Sequence, residues 1–173
     1  ARLASDVAEL AHIDVDRVAI RFCQARKAVR HGTQATLTPL RFEHGALVRR
    51  LRGREWTIER LYDSTGREML YLLSFYLPRF LDRTFEEKLT TVVHELWHIG
   101  PQFDGDFRRH EGRCWAHTHS QANFDAHAHR LAMRWLEQDP PAATYAFLQS
   151  SFRELAARHG RIVGQRIRTP RLV

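Results

Sequence analysis

Two imidazoles and a carboxylate stand together in the stretch His94-Glu95-Leu96-Trp97-His98. On a helix, residues four apart share a face, one turn above the other. Two imidazole nitrogens so placed reach one metal ion at about 2.0–2.1 Å each. Glu95, one residue after the first His, projects about 100° round from it. That places it near the ion without making it a ligand, which suits a general base acting on metal-activated water. With 11 His and 11 Glu in 173 residues, shuffling supplies this pattern roughly 0.04 times per chain. The bland alternative is a surface helix that happens to carry two His.

Two His rarely hold zinc alone, because catalytic sites have three protein ligands and an open position. The candidates for the third all lie downstream. His119 is preferred, since a ligand just before a helix start is held by a rigid element. His117 comes next, then His110, then Asp104, six residues after His98. Where they are not the ligand, His110 and His117, with Arg108 and Arg109, are candidates to stabilise an oxyanion near the open position. His127 and His129 are two apart on a helix, about 200° from each other, so they cannot share one ion. Asp125 is placed to orient a ligand His from behind.

The elements around the motif follow from local patterns. Thr84-Phe85-Glu86-Glu87 is a capping box. Phe85, Leu89, Val92, Val93 and Leu96 then recur at helical spacing, and Gly100-Pro101 ends the run. Ser120 caps a second helix reaching about residue 138, with Phe124, Ala128, Leu131 and Trp135 inward. Pro141 opens a third helix, with Tyr145, Leu148, Phe152 and Leu155 inward and Gly160 at its end. Upstream, residues 1–14 read as a short helix and 16–25 as a strand through Val18, Ile20 and Phe22. Residues 34–42 read as a strand that Pro39 confines to an edge, and 46–54 stay undecided between helical turn and strand. Residues 55–61 read as a strand, and 63–66 as a turn. Residues 68–77 are apolar on both faces, with Tyr71, Leu73, Phe75 and Leu77 on one and Leu70, Leu72 and Tyr76 on the other. Such a strand belongs inside a sheet. The polar stretch 102–119 is a long loop beside the motif, a placement that favours function. The tail 161–173 alternates weakly, as a strand or an extended arm.

The whole chain, 173 residues with 43% hydrophobic content, is long enough for one domain with a real core. That domain has its centre at about 34–137 and a C-terminal helix and tail at 141–173. No apolar run approaches the roughly 18–20 residues of a membrane helix. Cys23 and Cys114 have no C-x-x-C spacing, so neither a disulfide framework nor a zinc ribbon is indicated. With no signal-peptide pattern, the expected location is cytoplasmic. Net charge is +7, from 27 basic residues against 20 acidic. The basic residues are mostly Arg, with small clusters at 49–54 and 161–171. This is either a solvated surface or one that meets nucleic acid or another acidic partner.

The capped helix carrying His94-Glu95-Leu96-Trp97-His98 leads into the loop Phe103-Asp104-Gly105-Asp106-Phe107-Arg108-Arg109. The next helix opens with Ser120-Gln121-Ala122-Asn123-Phe124-Asp125. Together they resemble the phage-type and bacterial metallopeptidases of the zincin class and, more distantly, SprT-like proteases, over roughly residues 34–137. The resemblance implies a small peptidase domain of helix, mixed sheet, motif helix and second helix. In SprT-like proteins the third His begins a short helix with an aromatic four residues later, whereas Phe124 follows His119 at five. With two Cys, these 173 residues are not expected to hold the C-terminal zinc ribbon of that group.

The resulting expectation is an α+β fold, with a small mixed sheet of three to four strands, the zincin helix packed on it, and further C-terminal helices. Its activity would be zinc-dependent hydrolysis of peptide bonds in a peptide or protein substrate, an edge strand pairing with the extended substrate. Zn2+ would be held by His94, His98 and His119, with Glu95 as the base. The alternatives are a catalytically silent zinc-binding module and a nucleic-acid-associated protease domain.

Overall fold

The computed structural model describes residues 2–25, 31–109 and 121–173. Its centre is the strand β7 (Tyr71–Leu77), whose residues are buried on both faces except for a partly exposed Tyr76. β7 pairs in parallel with β1 (Val18–Gln24) and antiparallel with β2 (Ala35–Pro39), so the mixed sheet has the order β1-β7-β2. A strand apolar on both faces can be central only if both faces are covered. Tyr71, Leu73, Phe75 and Leu77 join the larger core, and Leu72 joins a smaller one with Ala19, Leu40 and Met69. Leu70 departs from the expected alternation and lies in the larger core. It falls in a break between β6 (Glu68–Met69) and β7. Pro39 ends the edge strand β2, where a missing N–H costs no ladder bond.

Residues 48–51 and 54 resolve as strand, with a turn at 52–53. β3 (Val48–Leu51) and β4 (Arg54–Thr57) form a two-stranded ribbon separate from the main sheet. Arg52 and Gly53 turn it with φ of 50° and 76°, the left-handed backbone that a tight hairpin needs. The strand expected over 55–61 is therefore shorter and belongs to this ribbon. β5 (Leu61–Tyr62) then pairs with β6 across the Asp63 turn.

Preceding these strands is α1 (Arg2–Asp6), which gives way to a 3-10 turn at Ala8–Leu10 and seats Leu3, Val7 and Leu10 in the core. The motif helix α2 (Phe85–Trp97) opens with both halves of the capping box in place. The Glu87 N–H donates to Thr84 Oγ1 at 3.2 Å, and the Thr84 N–H donates to Glu87 Oε2 at 2.9 Å. Leu89, Val93 and Leu96 are buried against α3 (Gln121–Glu137), which contributes Ala128, Leu131 and Trp135 to the same core. The proposed cap Ser120 lies outside the described residues. Two 3-10 turns, Ala142–Thr144 and Ala146–Gln149, replace the helix expected from Pro141. The helix α4 (Phe152–His159) begins only at a second capping box, Ser151 with Glu154. Its hydroxyl and carboxylate satisfy the first-turn donors there, which Pro141 has no side-chain polar group to do.

The tail is an extended arm that wraps the β1 edge. Ile162 packs on the larger core and Ile167 on the smaller one. Between them Gly164 crosses Phe22, where a Cβ would lie 2.9 Å from the ring. The arm ends by pairing Val173 with Thr57 in both directions, at 2.8 and 3.0 Å. Phe22 and Ile20 stay 44% and 54% exposed, so their alternation marks a strand without marking its buried face.

Lys88 is only 2% exposed. Its ammonium donates to the carbonyls of Leu81 and Ser150, at 3.0 and 2.9 Å, joining the segments before α2 and α4. Lys88→Met leaves both carbonyls without their charged donor, and the expected loss is about 2–4 kcal/mol. The midpoint of urea unfolding measures it.

Candidate metal centre

His94 stands in the last turn of α2, and His98 is its C-cap residue. Their Nε2 atoms lie 3.1 Å apart. A helix brings its residues i and i+4 together; what aims these two rings at one point is packing. Phe124 of α3 stacks on the His98 ring at 4.6 Å and meets the His94 ring edge-on at 4.7 Å. On the far side of His94, Nδ1 lies 2.8 Å from Asp125 Oδ1. A carboxylate there holds the proton on Nδ1 and leaves the Nε2 lone pair directed at the meeting point. His98 is 7% exposed, and a short ladder fixes the chain beyond it, with Arg108 N–H donating to the His98 carbonyl.

Glu95 projects about 100° round the helix from His94, toward β2. It is 8% exposed, and burial pushes its carboxyl up to about 7, while the Leu37 N–H draws it down. Glu95, His94 and Asp125 line a cleft of about 870 Å³ that also takes in Ala35, Thr91 and His129. The bonds Tyr76 N–H to Gln34 O and Leu40 N–H to Leu70 O turn the even-numbered residues of β2 toward β7. Ala35 and Leu37 accordingly point their backbone groups away from the sheet, on the cleft side.

The donors fit a divalent ion in part. Two nitrogens at about 2.0–2.1 Å from one ion can stand 3.1 Å apart. Among the described residues no group of three His, Cys, Asp or Glu converges, so Asp104 does not complete the pair. Asp104 instead caps the Asp106 N–H at 3.1 Å and lies against Gly45. His110, His117 and His119 lie outside the described residues.

Two of the expected oxyanion candidates have other work. The Arg108 guanidinium lies 3.7 Å over the Trp97 ring and donates to the Trp97 carbonyl. Arg109 pairs with Asp106 at 2.9 Å and Glu43 at 3.2 Å. Neither lines the cleft. In the described part of the loop after the motif, both guanidinium groups are engaged in contacts that hold the loop. His127 packs on Trp97 at 4.5 Å, and His129 faces Glu86 at 3.4 Å, so the two diverge as helical spacing requires. The contribution of β2 to the cleft was not legible in the sequence, because it is made by backbone rather than side chains.

No protein-family model, curated protein or solved structure matches this chain.

The Asp125 contact makes a prediction that needs no metal. His94 is expected in the Nδ1–H tautomer near neutral pH, and Asp125→Ala should redistribute it. Long-range proton–nitrogen NMR correlations of the imidazole read this directly. An unchanged tautomer would show that Asp125 does not orient the ring.

Proposed function

We propose that this protein is a zinc-dependent peptidase of the HExxH type. The observation that carries the reading is the convergence of the His94 and His98 Nε2 atoms, at 3.1 Å, beside a buried carboxylate in an open cleft. His94 and His98 would hold the ion, with a third donor from the His-rich stretch that contains His119, His117 and His110. When bound, zinc polarises a peptide carbonyl and acidifies water.

The remaining steps belong to this chain's own residues. Asp125 keeps the His94 Nδ1 proton in place, so that Nε2 stays a donor to the ion. Phe124 covers both rings and excludes water from that side. Glu95 accepts a proton from the attacking water on a carboxylate oxygen and passes it to the leaving amine nitrogen. The outward backbone of Ala35 offers an extended peptide a strand to pair with along the cleft.

Two measurements test this. Elemental analysis is expected to find about one zinc per chain, lost in His94→Ala, with Asp125→Asn binding about 10–100-fold more weakly. Glu95→Gln is expected to keep the metal and lose at least 100-fold in hydrolysis of a fluorogenic casein, within the usual range for general base catalysis. Full activity in a zinc-loaded Glu95→Gln protein would remove Glu95 from the chemistry. Absence of zinc in the parent protein would remove the metal.

A further inference from the structure

We infer that the β3–β4 ribbon is a nucleic-acid-binding element that inserts into the major groove of double-stranded DNA. Arg49, Arg50, Arg52 and Arg54 fall within six residues, and all four are exposed. The only acid in the two strands is Glu55, opposite Arg50. Among the described residues no ion pair or side-chain hydrogen bond engages these four, whereas Arg41, Arg60 and Arg171 are paired with Glu68 or Glu59. Four uncompensated guanidinium groups held close together repel one another, and a polyanion relieves that repulsion.

The shape selects among polyanions. Strand register places Arg49, Leu51, Arg54 and Trp56 on one face, and Val48, Arg50, Glu55 and Thr57 on the other. Arginine therefore lies on both faces, with Arg52 at the tip. A two-stranded ribbon is a shape that the B-DNA major groove, about 12 Å wide, admits, and phosphates line both of its walls. A lipid surface is best met by an apolar tip with charge on one side, whereas the tip here is Arg52-Gly53. The guanidinium chemistry also suits phosphate and guanine edges, which it grips bidentately, and the chain holds 25 Arg against 2 Lys. The arm that pairs with β4 anchors the ribbon to the body at Thr57. This inference does not depend on the peptidase reading, since no ribbon residue lines the cleft.

The experiment is fluorescence anisotropy of the full chain with a labelled 20-base-pair duplex DNA, from 50 to 200 mM KCl. The triple variant Arg50→Ala, Arg52→Ala, Arg54→Ala is compared with a charge-matched control, Arg153→Ala, Arg158→Ala, Arg161→Ala. Four phosphate contacts predict a slope of log affinity against log salt of about −3.6. The ribbon triple is expected to bind at least 30-fold more weakly at 100 mM, with a slope shallower by about 2.7, and the control to change less than threefold. Duplex RNA, whose major groove is too narrow to enter, is expected to bind at least tenfold more weakly than DNA. Equal losses in both triples, equal affinity for RNA and DNA, or no DNA binding at 50 mM salt would each overturn the inference. So would ribbon-dependent binding to phosphatidylserine vesicles or poly-glutamate with none to DNA. Circular dichroism checks that each variant is folded, as the exposed positions lead one to expect.

Discussion

The buried hydroxyl of Tyr71 joins the sheet to the chain that leaves the motif helix. It donates to the Asp106 carbonyl at 2.8 Å and accepts from the Gly105 N–H at 3.0 Å. Tyr71 is fully buried on the central strand, and an unpaired hydroxyl there would cost more than the bonds give. Its two partners therefore have to be delivered to it. Gly105 delivers them with a φ of 93° and with no Cβ, which would stand 2.5 Å from Arg41 Cγ. Asp106 reinforces the turn by accepting from His44 N–H and pairing with Arg109. The end of α2, and with it His98, is thereby tied to β7 by a short, fully bonded path.

Against that frame α2 presents two adjacent sides to one cleft. One carries His94 and His98 toward Phe124 and Asp125 of α3, and the other carries Glu95 toward the edge of β2. The three polar groups therefore do not compete for the same space. The imidazoles are oriented by a ring and a carboxylate from a neighbouring helix. The carboxylate is pressed against a strand, where burial raises its proton affinity and one backbone N–H moderates it. The cleft lies where these surfaces meet.

Charge is segregated in the same molecule. Among the described residues the cleft is lined by Glu86, Glu87, Glu95 and Asp125 and by no Lys or Arg, although the chain carries +7 overall. Much of the excess resides on the projecting ribbon and on the arm that pairs with it. The arm closes the open side of the smaller core with Ile167 and braces β4 through Val173. A hairpin of four residues per strand is marginal alone, so this pairing is what gives the ribbon a fixed base.

The motif helix, its cap, the central strand and the edge position of β2 were legible in the sequence. Each rests on a local rule: the capping box of Thr84 and Glu87, the two-sided apolar run through Tyr71 to Leu77, and the proline at 39. The start of α4 was misplaced because two prolines and a capping box compete between residues 140 and 154, and the box satisfies more donors. Ile20 and Phe22 alternate like core residues, but their exposure depends on where the arm crosses β1. The roles of Arg108 and Arg109 were equally hidden. Composition marks such residues as available for chemistry, and only their partners, Trp97 and Asp106, show that they hold the loop. The sequence by itself determined that two imidazoles would share a helix face beside a carboxylate, because helical periodicity is a property of neighbouring residues. Only the tertiary structure decided that the rings converge, that Asp125 stands behind one of them and that β2 borders the cleft. Those facts depend on how separate elements pack, and no local pattern encodes that.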